Sequence, residues 1–229
     1  MAQPNNGTII LTGAKGYIGS HLLERLSKDV NCIDLKDGLD ASDEKSYPKE
    51  KQDIIVHLAA HLQPEDDSDI KLHRTVLEMA KRWNAHVIYA SSAAIYEPNT
   101  LYAIQKLYGE VLFKDYGILR FFNVYGDGGH GIVDIIKNHT NETIQVNGNG
   151  EQTRDYVHVE DVVSAIKKAI DIKWTGTAEI GTGIETSVNE LMEMSETLDF
   201  EYVNKDPGIL KSVAKLNPLF PWKHTLGLK

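Results

Sequence analysis

The stretch "ILTGAKGYIGSHLLERL", residues 10–26, constrains the fold more than any other part of the chain. A β-branched and apolar run ends at Gly13, and a helical periodicity follows within a few residues, with Leu22, Leu23 and Leu26 on one side. Gly13, Gly16 and Gly19 fall between strand and helix. In that context Gly13 permits the tight turn, Gly16 lets backbone approach a pyrophosphate, and Gly19 allows close helix–strand packing. The helix start offers free N–H groups and a partial positive charge to phosphates. Asp34 ends the next apolar run, about 20 residues on, where a carboxylate binds a ribose diol. It favours NAD over NADP because it repels a 2′-phosphate, and Lys36 works against that preference.

The alternation continues. "VNCIDL", "DIIVHLAA" and "AHVIYASS" have the unbroken apolar character of buried parallel strands. "IKLHRTVLEMAKRW" and "LYAIQKLYGEVLFKDYG" have helical periodicity, the second with Gly117 as its expected C-cap, and "ILRFFNV" is a further strand. The fold class is therefore α/β, a Rossmann-type doubly wound parallel sheet with right-handed crossovers. After about residue 126 the texture changes to glycine-rich loops, "YGDGGHG" and "NGNGEQT", with short helices in "VEDVVSAIKKAI" and "SVNELMEMSETL". Pro207, Pro218 and Pro221 mark an irregular end, and Trp174, Phe220 and Trp222 are read as packing a C-terminal lobe. The expected division is residues 1–125 as the dinucleotide-binding core, to which later segments return, and residues 126–229 as mainly a small substrate-binding lobe.

Reactive side chains converge in "YASSAAIYEPNTLYAIQK", residues 89–106. Tyr102 and Lys106 are i and i+4, so a helix places them on one face, a turn apart. A phenol with pKa near 10 is a poor base at neutral pH, and lowering it by about three units, roughly 4 kcal/mol, requires nearby positive charge. Lys106 and a nicotinamide cation supply it. Ser92, at the carboxyl end of a strand, is placed to donate to a substrate oxygen, and ligands of open α/β sheets sit at those ends.

The glycine spacing together with "HLAAH", "SSAAIY", "YAIQK" and "LRFFNVYG", in that order, resembles the extended short-chain dehydrogenase/reductase family. The chain looks most like its NAD-dependent sugar-nucleotide epimerases, the group of UDP-glucose 4-epimerase, in a shortened form. The resemblance covers roughly residues 7–198. It implies that Tyr17 and Ile18 cover the pyrophosphate, that Asp40 and Ala41 flank the adenine, and that Leu58, Ala59 and Ala60 line the cofactor. It implies Ser92, Tyr102 and Lys106 as the catalytic set, Phe122 near the nicotinamide, and Asn123 and Arg154 on the diphosphate of a nucleotide sugar. It also implies a homodimer formed by the Tyr102 helix and the helix at 70–83. Relatives that dehydrate or decarboxylate carry acids directly after the catalytic Ser/Thr; here Ala93 and Ala94 stand there, which points to epimerisation by reversible hydride transfer through a keto-sugar. The alternatives are a net oxidoreductase on a keto-sugar nucleotide and a dinucleotide-binding regulatory protein without turnover. Departures concentrate on the substrate side. Only residues 97–101 separate Tyr96 from Tyr102, Asp69 replaces a helix Asn near the nicotinamide, and Phe121 replaces a Tyr. In "NKDPGILKS" Asp206 and Ile209 stand where an Arg-x-Gly-Asp clamp is frequent, with Lys205 adjacent.

A net charge of −9 with no basic stripe excludes a non-specific nucleic-acid binder. Cys32 is the single cysteine, so neither a disulfide framework nor a thiolate metal site is expected. His57 and His61 are four apart without a third ligand, so no metal is expected. The start of the chain has no basic n-region, and no apolar run approaches the roughly 20 residues that span a bilayer, so the expected location is the cytoplasm. The sequons at Asn6, Asn138 and Asn141 are then incidental.

Overall fold

The computed structural model describes residues 8–26, 29–61, 64–137, 143–194 and 199–228; the three sequon asparagines lie outside them. The first half of the chain forms β1 (Ile9–Thr12), α1 (Tyr17–Arg25), β2 (Val30–Ile33), β3 (Ile54–His57), α2 (Ser68–Trp83), β4 (His86–Ser92), α3 (Leu101–Leu112) and β5 (Gly117–Phe121). The second half forms β6 (Asn123–Tyr125), α4 (Ile132–Lys137), β7 (Ile144–Asn147), β8 (Thr153–Arg154), β9 (Tyr156–His158), α5 (Val159–Asp171), β10 (Gly176–Ile180), β11 (Thr186–Ser187), α6 (Val188–Glu193), β12 (Phe200–Val203) and β13 (Lys211–Ser212).

Six strands make one parallel sheet in the order β2-β1-β3-β4-β5-β10. Alternate residues of each strand feed two separate layers, as a period of two requires. Ile9, Leu11, Ile54, Val56, Ile88, Ala90 and Leu119 face one layer, filled by Leu22 of α1 and by Val162, Val163, Ile166, Ala169 and Ile170 of α5. Ile10, Ile55, Val87, Tyr89 and Ile118 face the other, filled by Leu72, Val76, Met79, Ala80 and Trp83 of α2 and by Phe113 just past α3. Both faces of the sheet are covered, which explains the unbroken apolar strands. After β2 the chain crosses back over β1 to β3, so the topological switch point lies between β1 and β3, and its carboxyl-end crevice is where ligands of such sheets bind.

Two local expectations are corrected. Gly117 does not cap α3, which ends at Leu112 with Phe113 as C-cap; Gly117 opens β5. A Cβ there would lie 2.4 Å from the Trp174 carbonyl oxygen, so close packing of the loop between α5 and β10 demands the glycine. Trp174, Phe220 and Trp222 do not pack a separate lobe but close the layer that holds α1 and α5, with Trp174 and Phe220 ring centres 5.0 Å apart.

Residues after 125 form smaller sheets, β11-β8-β13, β12-β7 and β6-β9, around the carboxyl ends of the large one. One buried carboxylate, between β8 and β9, ties to that link the segments that follow β10 and β13. Asp155 accepts from the Thr182 N–H and hydroxyl, both at 2.7 Å, from Gly183 N at 2.8 Å and from Ala214 N at 3.1 Å. It is fully buried, so Asp155→Ala leaves several donors unpaired in a dry setting, each costing about 1–3 kcal/mol. The expected loss is about 3–5 kcal/mol, seen as a melting temperature roughly 10 °C lower by circular dichroism. A shift under about 2 °C would mean that the three segments hold together without it.

Candidate active site

Two clefts open at the carboxyl ends of the strands. The first, of about 720 Å³, is lined by Gly13, Gly16, Asp34, Asp40, Ala41, Leu58, Ala59 and Ala60, among others. Gly13 has φ +71, and a Cβ on it would lie 2.8 Å from Ala59 N; one on Gly19 would lie 2.0 Å from the Gly13 carbonyl oxygen. The loop thus folds tightly over β3 and delivers the chain into α1. Gly16, the N-cap of α1, provides no side-chain cap, so the first-turn N–H groups are left for a ligand. Asp34 accepts Lys15 N at 2.8 Å and Lys36 N at 2.9 Å, which fixes its carboxylate at the cleft wall and leaves acceptor capacity for hydroxyls. Lys36 Nζ donates to the Lys15 carbonyl at 2.9 Å, and Lys15 pairs with Asp37, so both ammonium groups are engaged within the protein. Tyr17, Ile18 and Gly19 lie beyond this wall, in α1: Tyr17 packs beside Gly128 and Ile18 against the sheet layer of α5.

Ser92 ends the strand that lies between those leading into this cleft and the second, and Tyr102 and Lys106 follow on α3. Ser92 ends β4, which lies between β3, leading into Leu58–Ala60, and β5, leading into Phe122; Ser92 is directly across from Phe121. Its Oγ accepts Ala94 N at 3.2 Å and caps a short 3-10 turn, Ala93–Tyr96. Thr100 caps α3 by accepting Ala103 N at 3.2 Å, which puts Tyr102 on the first turn and Lys106 on the next. Lys106 is 4% exposed. Its Nζ donates to the Ala90 carbonyl at 2.7 Å and lies 5.8 Å from the Tyr102 ring centre. Burial lowers the Lys106 pKa to about 8, opposed by the negative charge of Asp69. For Tyr102, burial raises the pKa, while hydrogen bonding to Ser92 lowers it and Asp69 raises it.

Asp69 is itself buried and accepts His61 Nδ1 at 2.7 Å and His61 N at 3.1 Å, so it holds the half-exposed His61 on the wall of the first cleft. Behind the serines, Ser91 donates to Glu110 at 2.6 Å, and Arg120 grips the same carboxylate with two bonds of 2.8 Å, locking α3 to β4 and β5. His57 is in contact with Thr12 and with His73, and no cluster of three or more metal-ligating residues occurs among the described residues.

The second cleft, of about 360 Å³, is lined by Phe122, Asn123, Tyr125, Gln152, Arg154 and Tyr156, among others. Asn123 is anchored by its N–H to the Asp155 carbonyl at 3.0 Å, and Arg154 by NH1 to the Thr153 carbonyl at 2.8 Å. Asp206 is exposed and turns its carboxylate onto Gly208 N at 2.8 Å; neither it nor Ile209 lines this cleft. The structure therefore gathers Gly13, Gly16, Asp34, Asp40, Ala41 and Leu58–Ala60 at one cleft and Phe122, Asn123 and Arg154 at another, while Ser92, on the strand between, and Tyr102 and Lys106, on α3, line neither. Gln152 and Tyr156 carry no signal in the sequence, because Gln152 precedes the two-residue β8 and Tyr156 opens the three-residue β9, and neither strand is long enough for a periodicity.

The model of the NAD dependent epimerase/dehydratase family matches residues 9–180. A Methanocaldococcus jannaschii protein, named as a candidate UDP-glucose 4-epimerase, is 31% identical over 81% of this chain and 80% of its own. A Bacillus cytotoxicus UDP-N-acetyl-alpha-D-glucosaminuronate decarboxylase is 26% identical over 95% of this chain and 94% of its own. Among solved structures, DesIV, a dTDP-glucose 4,6-dehydratase of Streptomyces venezuelae with NAD bound, superposes with a TM-score of 0.85 at 19% identity, covering 96% of this chain and 92% of its own.

Proposed function

Because the chain belongs to the NAD-dependent epimerase/dehydratase family, we propose that it is an epimerase of a nucleotide sugar, of the UDP-glucose/UDP-galactose 4-epimerase kind. What supports this reading is that Ser92 ends β4, between the strands that lead into the two clefts, with Tyr102 and Lys106 a turn apart on α3 and alanines in the two positions after Ser92. The cofactor is NAD, and the first cleft suits it: a glycine cradle that any Cβ would fill, an uncapped helix start for the pyrophosphate and Asp34 for the ribose diol. Bound there, NAD supplies reversible acceptance and return of a hydride, the chemistry that interconverts a carbinol and a ketone.

The residues of the chain do the rest. Tyr102 takes the proton of the sugar hydroxyl and later returns it. Lys106, held by Ala90, keeps positive charge beside the phenolate, and Ser92 shares the proton on the substrate oxygen. Arg154 and Asn123 hold the diphosphate in the second cleft. Ala93 and Ala94 provide neither acid nor base for elimination, so the ketone is left to receive hydride on its other face. The exposed apolar residues Ile104, Leu107 and Val111 of α3 suit burial in a homodimer through α2 and α3.

Incubation with UDP-glucose or UDP-galactose, followed by chromatography, is expected to interconvert them without net NADH. NADH accumulating with a keto product would favour the oxidoreductase instead. Lys106 is charged below about pH 8 and neutral above it. The phenolate needs that charge, so turnover at saturating NAD is expected to fall as pH rises through about 8. A rate still climbing at pH 10 would remove the Lys106 charge from the mechanism.

A further inference from the structure

Under the active-site helix runs a line of hydrogen bonds that neither cleft uses. Ala59 N donates to Thr12 Oγ1 at 3.3 Å, Thr12 Oγ1 is 2.7 Å from His57 Nδ1, and His57 Nε2 is 2.9 Å from His73 Nδ1. His73 Nε2 is 3.3 Å from the Tyr89 hydroxyl, which donates to the Lys106 backbone carbonyl at 3.3 Å. Thr12, His57, His73 and Tyr89 are all 0% exposed, and Phe113 seals them in, its ring centre 4.9 Å from that of Tyr89 and 5.8 Å from that of His57.

The proton positions follow from one end. With the Tyr89 hydrogen on the Lys106 carbonyl, which only accepts, the Tyr89 oxygen accepts from His73 Nε2–H. A neutral His73 then accepts at Nδ1 from His57 Nε2–H, and His57 accepts at Nδ1 from the Thr12 hydroxyl. Each dipole points from Ala59 to Lys106, an arrangement in which the bonds polarise one another. Both imidazoles are neutral: burial carries His57 well below its usual range and His73 to about 3, with the ammonium of Lys106 acting in the same direction and the Gln105 backbone opposing it at His73.

Each end is fitted to what it touches. The Gly13 turn packs on Ala59 so closely that a Cβ would sit 2.8 Å from its nitrogen. At the other end a Cβ on Gly109 of α3 would lie 2.2 Å from the Tyr89 hydroxyl oxygen, so the phenol reaches Lys106 only because the helix carries glycine there.

We propose that His57, His73 and Tyr89 are positioning residues, a one-directional relay that sets Lys106, and with it Tyr102, against the dinucleotide cleft and tightens when that cleft is filled. This rests on reading Tyr102 and Lys106 as the reacting pair.

The test is nitrogen-15 NMR of the histidine rings in the full chain, with NAD titrated in and the Lys106 Cε signal followed alongside. Both rings are expected as neutral Nε2–H tautomers at pH 7, with NAD shifting both rings and Lys106. Tyr89→Phe deletes the last donor and, with it, the acceptor of His73 Nε2–H. It is expected to keep NAD affinity within about threefold, to halve the Lys106 response or more, and to lower kcat about tenfold with the KM for the sugar unchanged. His73→Gln, which keeps one acceptor and one donor, is expected to retain most of the response that His73→Leu loses. An Nδ1–H tautomer or a protonated ring at pH 7 would overturn the relay, as would a Tyr89→Phe chain that binds NAD with its Lys106 response and kcat intact. The ring tautomers and the Lys106 response need no sugar, so a chain inactive on every UDP-sugar still decides the relay separately from the epimerase reading.

Discussion

Tyr102→Phe is expected to lower turnover by about a thousandfold while leaving NAD affinity within about threefold. The variant removes one oxygen and preserves the ring, so Lys106 keeps its bond to Ala90 and its place beside the aromatic face. What disappears is the proton acceptor for the sugar hydroxyl, and positioned acid–base groups contribute about 10²–10⁴ in rate. The loss should fall equally on kcat and kcat/KM, because a proton in flight is felt in the transition state and not in substrate binding. Without cofactor, burial makes this phenol a weaker acid than free tyrosine, so its acidity must come from charge that arrives with the dinucleotide together with Lys106 and Ser92. Steady-state rates on both UDP-sugars, with calorimetric titration of NAD, measure both halves. Turnover within tenfold of the parent chain would move the base elsewhere, to the His61–Asp69 pair first, since it shares the wall of the cofactor cleft.

The dinucleotide half was legible because its signals are local. A strand, a glycine turn, a helix and an acid at fixed spacing leave little room for another fold, and Gly13, Gly16 and Asp34 line one cleft. Tyr102 and Lys106 were legible for the same reason, as i and i+4 on a helix that does form. The relay was not, because it joins residues 12, 57, 73 and 89, which are far apart in sequence and share only full burial. His73 follows Leu72 on the apolar side of α2 and, by periodicity, reads as core, which it also is. Asp206, an anion where a cationic clamp is frequent, became intelligible only in three dimensions: its carboxylate serves its own turn at Gly208. The end of α3 was misplaced because Gly117 has the composition of a helix stop and the packing of a strand start.

Gly19→Ala is the substitution expected to damage the fold and the cofactor site together. The added Cβ would lie 2.0 Å from the Gly13 carbonyl oxygen and 3.0 Å from Ala14 backbone carbons. None of these is the end of a flexible side chain. Gly13 is fixed by accepting Gly16 N at 3.0 Å and by its own N–H to the Ile33 carbonyl at 2.9 Å, so the turn cannot give way alone. Helix α1 must then move off β1, opening the layer in which Leu22 is fully buried against the sheet. Overpacking against side chains costs about 1–3 kcal/mol, and a clash confined to backbone belongs at or above the top of that range. The same displacement pulls the uncapped start of α1 from the pyrophosphate position, so NAD affinity is expected to fall at least a hundredfold. Gly16→Ala and Gly38→Ala separate the two effects. A Cβ at Gly16 would lie 3.2 Å from the Gly13 carbonyl oxygen, a contact that small adjustments relieve, so its penalty should appear in NAD affinity more than in stability. Gly38 has φ +74 with open space around it, so its alanine variant should cost about 1 kcal/mol in backbone strain and leave NAD binding unchanged. Thermal melts and NAD titrations on the three variants should therefore rank them differently, Gly19 first in both, Gly16 second in affinity only. If Gly19→Ala bound NAD as tightly as the parent chain, the close approach of helix to strand would not be what forms the phosphate site.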